Sequence, residues 1–266
     1  GVFEEKKCFL ISSPVLLPLT QFDLVLIRKE PPFDATYLYL TQILETTADQ
    51  VPMVNHPRGI RNANEKLAIL NFSSWIPETL VTNSAEKIID FQKRIQDDLV
   101  IKPLNLMAGK NIIRLKFKSR TAARTVRKAT RNSREFVMAQ RFLKGRGKTA
   151  DKRILILDGD VLTAFEKCAP KGDFRSNLSL GATARSTKLT AKEMKLVKEL
   201  KPYLLREGLR FVGIDVLCER LIEINVTCPS GLVEARDLYP QRGLAAAWAG
   251  SLEKFASCRG VQISGH

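Results

Sequence analysis

FVGIDVLCERLIEINV, residues 211–226, has the pattern of two short strands joined by a turn. In each half, branched apolar side chains occupy every second position, which is the period of a strand with one dry face and one polar face. We expect the turn at residues 218–220, between the two halves. The stretch therefore predicts an antiparallel hairpin, and its polar face is the place to look for chemistry.

The polar face of this hairpin carries two carboxylates and an amide. With that turn, Leu217 faces Leu221. Asp215 then faces Glu223 at about 5 Å, and Asn225 lies two residues along on the same face. Carboxylates this close repel, and the pKa of one rises unless a cation lies between them. Mg²⁺ prefers such oxygen ligands, so the face is either a magnesium site or an ordinary solvated hairpin face.

Length and composition describe an ordinary globular protein. The chain has 266 residues, enough for one large domain or two smaller ones, with 44% hydrophobic and 27% charged residues. No apolar run approaches the ~20 residues of a membrane span, so we expect no transmembrane segment. The net charge of +15 suits phosphate-bearing partners in general, whether nucleic acid, ATP or another anionic substrate.

Cysteine and histidine usage argues against several classes of site. The five cysteines are widely spaced and lack a Cys-x-x-Cys pair, which disfavours a disulfide framework or a zinc site and favours reduced thiols in the cytoplasm. With only His56 and His266 present, we expect neither a histidine metal site nor a Ser-His-Asp triad. The chain begins Gly-Val-Phe, without methionine or a signal peptide, so we expect an incomplete N-terminus.

The rest of the chain mixes strands and helices. Antiparallel hairpins combined with crossovers predict an α/β or α+β fold in layers. Strands are expected at 21–29, 77–82, 99–104, 111–117, 135–143, 153–162, 162–168, 211–217 and 221–226, with a short one in 51–60. Helices are expected at 36–44, 62–72, 84–95 with Ser84 as its cap, 116–134, 190–207 and from 244.

A loop with one glycine follows a lysine on a strand. Residues 101–115 read IKPLNLMAGKNIIRL, with Lys102 on the strand and Gly109 in the loop. Loops that wrap phosphates usually carry several glycines, because the backbone must expose its N–H groups and often adopts a positive φ. Taken alone, Lys102 is therefore as compatible with a solvated lysine as with a phosphate ligand.

An ordered series of short motifs resembles one enzyme family. The motifs are IRKEPPFD (27–34), NEKL (64–67), PETLVT (77–82), IKPL (101–104), MAQ (138–140), DKRILILDGD (151–160), RSNL (175–178) and FVGIDVLCERLIEINVT (211–227). Together they resemble the prokaryotic-type glutathione synthetases, which are ATP-grasp ligases. Chance is a poor explanation, because the motifs occur in order and the first and last are long.

The resemblance implies a reaction and its cofactor. In that family ATP phosphorylates the carboxylate of γ-glutamylcysteine, and the amine of glycine attacks the acyl phosphate to give glutathione, ADP and phosphate. The chemistry needs Mg²⁺ and lysines on the phosphates and an arginine on the tetrahedral oxyanion. The resemblance thus implies an ATP-grasp ligase of the cytoplasm with small-molecule substrates, homo-oligomeric as in the family. We expect no membrane partner, since no apolar span is present, and nucleic acid is the weaker alternative considered below.

The resemblance also implies site residues. The nucleotide contacts would be Lys66, Lys102 and the lid residues Met107 and Gly109, and the backbone around Gln140, Arg141, Phe142 and Leu143 would line the adenine pocket. The magnesium ligands would be Asp215, Glu223 and Asn225. Arg153 and Arg175 would face the acyl phosphate, and Arg28, Gly181 and Asn225 the peptide substrate. Each lysine and arginine has a plainer alternative as solvated surface, because the chain has 43 of them.

The chain departs from the family pattern at several glycines. The lid reads Asn-Leu-Met-Ala-Gly at 105–109, where the family pattern resembles Asp-Gly-Met-Gly-Gly. A positive φ at Leu106 would be strained by about 1 kcal/mol or more. Ala182 stands where a glycine is expected in the second loop, and Cys228 stands where the family tends to have serine. An ATP-grasp protein with impaired activity or a different peptide substrate is therefore an open alternative.

The motifs divide the chain into three parts. We expect residues 1–60 to be the remnant of a truncated, Rossmann-like N-terminal domain. Residues 61–142 would form the lid subdomain of an ATP-grasp fold, and residues 143–266 its C-terminal subdomain with the magnesium and substrate sites.

A basic segment supports one further alternative. If residues 116–134 form a helix, one face carries Arg120, Arg124, Arg127, Arg131 and Arg134. Such a stripe could follow a phosphate backbone. It has no interleaved aromatic residues for base stacking, and a run of charge on an outer helix is usually a solvated face, so nucleic-acid binding is the weaker interpretation.

Overall fold

The structure is a computed structural model that describes residues 2–4, 7–9, 13–106, 109, 111–144, 150–170, 176, 178 and 181–257. A two-stranded hairpin of β1 (Val2–Glu4) and β2 (Lys7–Phe9) comes first. The remaining elements form a small N-terminal unit, a four-stranded sheet and a five-stranded sheet.

The N-terminal unit contains β3 (Val25–Leu26), α1 (Ala35–Glu45), β4 (Met53–Val54) and α2 (Pro57–Asn62). β3 and β4 pair in parallel, as strands joined by a crossover helix do. Asp34 caps α1 by accepting a hydrogen bond from the backbone N–H of Tyr37. The Tyr37 ring is fully buried and stacks on Phe33 at 4.8 Å, which ties the IRKEPPFD motif to the helix.

The four-stranded unit contains β5 (Thr79–Thr82), α3 (Ala85–Ile95), β6 (Leu99–Pro103), β7 (Ile113–Leu115), α4 (Ala122–Ala129) and β8 (Val137–Arg141). The strand order is β5-β8-β6-β7, and all pairs are antiparallel. Ile101 and Ala139 point to the face that packs with α3 and α4. Because side chains alternate along a strand, Lys102 and Gln140 lie on the opposite face.

The five-stranded unit contains β9 (Ala150–Leu157), β10 (Asp160–Cys168), β11 (Thr183–Ser186), α5 (Ala191–Arg206), β12 (Phe211–Leu217), β13 (Arg220–Asn225), α6 (Leu232–Leu238) and α7 (Leu244–Ser257). Its strand order is β11-β10-β9-β12-β13. A capping box of Thr190 and Glu193 starts α5. Leu200 of α5 and Ile214 of β12 belong to one buried core, so the other face of the sheet is left for the site.

Two predicted elements are shorter or broken. The strand predicted over 21–29 is only two residues long, since its described partner β4 is equally short. The helix predicted over 62–72 is divided between α2 and a 3₁₀ helix at Ala68–Trp75. Asn64 causes the break, because its side chain accepts hydrogen bonds from the backbone N–H groups of Lys66 and Leu67 and starts a new turn.

The basic segment is not one long helix. α4 has eight residues rather than the nineteen of the predicted range 116–134. The backbone leaves the helix through left-handed conformations at Arg131, Asn132 and Ser133, with φ of 45°, 55° and 68°. The arginines at 120, 131 and 134 therefore lie outside the helix, and the continuous stripe that nucleic-acid binding would need is absent from this segment.

Candidate active site

A row of charged side chains crosses the five-stranded sheet on the face opposite α5. Arg153 on β9 lies directly opposite Asp215 on β12, and Asp215 lies directly opposite Glu223 on β13. Opposed residues of an antiparallel pair share a face, so the three side chains form one line across three strands. The register of Asp215 with Glu223 is the one predicted from the sequence.

The hairpin turn itself differs from the prediction. Leu217 pairs with Arg220, not with Leu221. The turn has two central residues, Cys218 and Glu219, both with positive φ at 52° and 59°, which is the geometry that suits the twist of paired strands. Val216 pairs with Leu221 and Asp215 with Glu223, so β13 has one additional residue, a bulge, between these two pairs. Because of this bulge the two carboxylates still oppose each other.

Asp215 is buried and surrounded by nitrogen atoms. Arg153 binds it in a fork, with Nε 2.7 Å from Oδ1 and Nη2 3.0 Å from Oδ2. Lys167 Nζ lies 3.0 Å from Oδ1, and Asn225 Nδ2 lies 3.5 Å from Oδ2. Burial alone would raise the pKa of Asp215, but the charges of Arg153 and Lys167 hold it well below its usual range.

Lys66 extends the row towards the lid. Its Nζ lies 3.0 Å from Glu223 Oε1 and donates a hydrogen bond to the backbone oxygen of Leu106 at 2.7 Å. The positive φ values in the described part of the lid are at Gly109 (70°) and Asn111 (56°), not at Leu106. The backbone strain considered for Leu106 is therefore absent, because the remaining glycine takes the left-handed position.

Glu65 anchors the segment that carries Lys66. Its Oε1 accepts hydrogen bonds from the backbone N–H groups of Val226 (3.1 Å) and Thr227 (3.2 Å) and from the Thr227 hydroxyl (2.7 Å). Burial raises the pKa of Glu65, and the nearby Glu223 carboxylate raises it further. A cavity of about 160 Å³ beside it is also lined by Phe33 and Leu106.

Lys102 and Gln140 form a buried pair on the four-stranded sheet. Lys102 Nζ donates a hydrogen bond to Gln140 Oε1 at 2.7 Å, and Gln140 Nε2 donates to the Thr79 hydroxyl at 2.9 Å. Burial lowers the pKa of Lys102 to about 8, against opposing contributions from acidic groups of the site. The alternative of a solvated lysine is wrong, because the side chain is 7% exposed.

The other residues predicted for the adenine pocket point in different directions. Arg141 turns away from Lys102 and pairs with Glu78 at 3.0 Å. The Phe142 ring lies 4.0 Å under the guanidinium of Arg114. Arg141 and Leu143 line a cavity of about 550 Å³. Gln140 contacts Lys102 through its side chain. Phe142 contacts Arg114, which lies on the same face as Lys102 because it pairs with Val100.

Two arginines contact the loop that follows β13. Arg28 Nη2 donates a hydrogen bond to the backbone oxygen of Pro229 at 3.0 Å. Arg153 Nη1 donates to the backbone oxygen of Ser230 at 3.1 Å, so the loop is held from two sides. Gly181 has a φ of 87° with open space around it. Met107 and Arg175 lie outside the described residues.

Sequence reasoning missed Lys167, Asp151 and Glu65. Lys167 on β10 lies opposite Asp151 on β9, and the Lys167 Nζ to Asp151 Oδ1 distance is 3.0 Å. The Asp-Gly turn at 158–159 was the available signal, since it predicts a β9–β10 hairpin. For Glu65, its place next to Lys66 in the NEKL motif was the only indication.

The three predicted magnesium ligands have the right donor chemistry. Asp215, Glu223 and Asn225 supply oxygen atoms on one face, as Mg²⁺ requires. The Glu223 side chain is 23% exposed. Among the described residues no three histidine, cysteine or acidic side chains form a metal cluster. Nitrogen atoms contact both Asp215 oxygens, and Asn225 turns its amide nitrogen to Asp215, so Mg²⁺ binding would require these contacts to rearrange.

Comparison with known families matches nearly the whole chain. The model of the prokaryotic glutathione synthetase ATP-grasp domain matches residues 65–240, and the model of the N-terminal domain of the same family matches residues 2–61. A glutathione synthetase of Prochlorococcus marinus subsp. pastoris is 39% identical over 89% of this chain and 74% of its own length. One from Coxiella burnetii is 40% identical over 87% of this chain and 72% of its own length.

Solved structures share the fold at low sequence identity. D-cycloserine synthetase DcsG superposes with a TM-score of 0.66 at 16% identity, covering 90% of this chain and 87% of its own. D-alanine–D-alanine ligase from Bacillus anthracis superposes with a TM-score of 0.62 at 14% identity, covering 90% and 82%. None of the helices in the described part of the chain is long and apolar enough to cross a bilayer.

The predicted fold and family are confirmed together. The two antiparallel sheets with their helices form an α+β ATP-grasp fold. The match to both domain models and about 40% identity over most of the chain account for the ordered motifs. The chain belongs to the prokaryotic glutathione synthetase family.

Proposed function

We propose that this chain is the ligase its family name describes, joining γ-glutamylcysteine to glycine with ATP as the energy source. The observation that carries the proposal is the line of Arg153, Asp215 and Glu223 across the sheet, with Lys66 attached at its end. Cations and carboxylates in one buried row suit a reaction in which phosphates and a carboxylate must be held together.

Lys66 and Lys102 would bind the nucleotide phosphates. Both are buried. Among the described residues, Lys66 Nζ contacts Glu223 and the Leu106 oxygen, and Lys102 Nζ contacts Gln140, and phosphate oxygens could replace these partners. Gly109 and Met107 would cover the phosphates, and the backbone of 140–143 would line the adenine. Lys66 already contacts the lid at Leu106, which supports a role in lid closure.

The Asp215, Glu223 and Asn225 oxygens would hold Mg²⁺. When bound, the ion would neutralise phosphate charge and polarise the transferred phosphoryl group. Arg153 holds Asp215 in its ionised form and aims it along the row. Its guanidinium has five N–H groups, and three of them serve Asp215 and Ser230. The other two have no hydrogen-bond partner among the described residues and would serve the oxyanion of the acyl-transfer step, together with Arg175.

The peptide substrate would enter from the N-terminal unit. Arg28 and Phe33 of the IRKEPPFD motif lie beside the loop after β13 and the cavity next to Glu65, which supports this direction. Asn225 and Gly181 would complete the substrate contacts. We propose the same division into residues 1–60, 61–142 and 143–266, since the two family models meet near residue 61 and each sheet lies within one part.

One experiment tests the activity directly. The protein is incubated with Mg²⁺-ATP, γ-glutamylcysteine and glycine, and ADP release and glutathione are measured. We expect ADP release that needs both substrates and is matched by glutathione. Retained nucleotide binding without ADP release would favour the impaired ATP-grasp protein, and release with other peptides only would favour a different substrate. We expect the enzyme to be cytoplasmic. We also expect a homo-oligomer, and light scattering would measure its mass.

A further inference from the structure

Lys167 is a buried cation that the proposed reaction does not use. It lies on β10 and is 5% exposed. Its Nζ is 3.0 Å from Asp151 Oδ1 and 3.0 Å from Asp215 Oδ1. One ammonium group therefore bridges carboxylates from two neighbouring strands, at one end of the charged row.

Asp151 depends on this lysine for its charge balance. Its Oδ2 accepts a hydrogen bond from the neutral Ser176 hydroxyl at 2.5 Å. Its Oδ1 is buried and has no hydrogen bond of good geometry in the described part of the chain, so the ammonium compensates it through charge. A buried carboxylate without a cation is strongly unfavourable.

The charges around Lys167 are balanced in pairs. Asp151 and Asp215 carry two negative charges, and Lys167 and Arg153 carry two positive charges within contact distance. Without the lysine, one arginine would remain beside two buried carboxylates, and among the described carboxylates Arg153 donates hydrogen bonds to Asp215. The vacated position would then offer oxygen atoms from two carboxylates, and their negative charge would attract a divalent cation.

We propose that Lys167 is a fixed cation of this active site. Its ammonium group takes the position between Asp151 and Asp215 that a divalent cation would otherwise fill. It thereby confines divalent-cation binding to the side of Asp215 that faces Glu223 and Asn225. That side is the magnesium site of the proposed function, on which this last step rests, whereas the bridge itself does not depend on it.

The test counts Mn²⁺ ions bound to the nucleotide-free protein by electron paramagnetic resonance. Lys167→Met and Lys167→Gln remove the cation, and Lys167→Arg keeps it. Lys152→Met is the matched control, because Lys152 pairs with Glu193 at 2.9 Å on the other face of the same sheet. Circular dichroism and the melting temperature with and without Mn²⁺ verify that each variant is folded and report binding even where stability is reduced.

We expect Lys167→Met and Lys167→Gln to bind one Mn²⁺ more per chain than the unmodified protein. Adding Asp151→Asn to either variant should remove that ion, and Lys167→Arg and Lys152→Met should leave the count unchanged. The proposal would be overturned if a folded Lys167→Met or Lys167→Gln variant bound no more Mn²⁺ than the unmodified protein and gained no additional thermal stability from Mn²⁺. The assay contains neither nucleotide nor substrate, so a protein without ligase activity would still give one result or the other.

Discussion

Lys102 and Gln140 form a hydrogen bond of 2.7 Å between adjacent strands, inside the sheet that faces the site. The lysine has lost most of its hydration, and burial lowers its pKa to about 8. The charged groups that face it are Glu223, Lys66, Asp215 and Asp151. Lys102 therefore loses its charge at a lower pH than surface lysines do, and it is fully charged only well below pH 8.

We expect ATP affinity to fall as the pH rises above about 8, because Lys102 then loses the charge that binds phosphate. Bound phosphate favours the protonated form, so the midpoint in the complex should lie higher. Isothermal titration calorimetry between pH 7 and about 10 would measure the change. Lys102→Arg is the control, since arginine keeps its charge throughout. The same pH dependence in both proteins would exclude Lys102 as its origin.

The same lysine should make stability depend on pH. Its pKa falls from 10.5 in the unfolded chain to about 8 in the fold. Between these values the unfolded state binds more protons, so stability rises with pH. The shift corresponds to about 3 kcal/mol, gained between pH 8 and 10.5 and lost again as the pH falls. Urea unfolding of the protein and of Lys102→Met across this range would show it. Parallel curves for the two proteins would contradict the assignment.

Asp215→Asn should weaken nucleotide binding in the presence of Mg²⁺ by at least about tenfold, since a charged ligand is lost. The amide keeps the size of the side chain but leaves Arg153 and Lys167 without their shared partner, so unfolding should also be easier by about 3 kcal/mol. Binding is measured by calorimetry with and without Mg²⁺, in buffer without urea, where the protein is folded. Glu219→Gln on the turn of the same hairpin is the control. Unchanged Mg²⁺ dependence in Asp215→Asn would remove Asp215 from the metal site.

The sequence predicts the hairpin at 211–226 well but not its neighbour, and the reason is physical. At the first hairpin, the turn is one residue shorter than predicted. A bulge adds one residue to β13, and the two differences cancel, so Asp215 still opposes Glu223. At the β9–β10 hairpin, the Asp-Gly turn alone would place Lys167 opposite Ala150. A bulge near Leu162 moves the lysine opposite Asp151 and therefore to the charged face.

The same contrast applies to the motif residues. Alternation and turn residues predict which side chains share a strand face, and so Asp215, Glu223 and Asn225 could be grouped from the sequence. Contacts between distant segments leave no such pattern. Glu65 reaches Thr227 over 162 positions of the chain, and Arg28 reaches Pro229 over 201. Only the family resemblance indicated that these segments meet.

Gly231→Ala should destabilise the protein by about 2 kcal/mol or more and reduce activity. Gly231 has a φ of 113°, and a methyl group there would lie 2.7 Å from Cζ of the fully buried Phe165 ring. The backbone would have to move, and with it the Ser230 oxygen that accepts a hydrogen bond from Arg153. Urea unfolding and ADP release would measure both effects. Gly250→Ala is the matched control, because this helical glycine has open space around it and alanine favours helices by about 1 kcal/mol. Equal stability of the two variants would show that the loop with Ser230 and Gly231 accommodates the methyl group without cost. The position of Arg153 would then not depend on this loop.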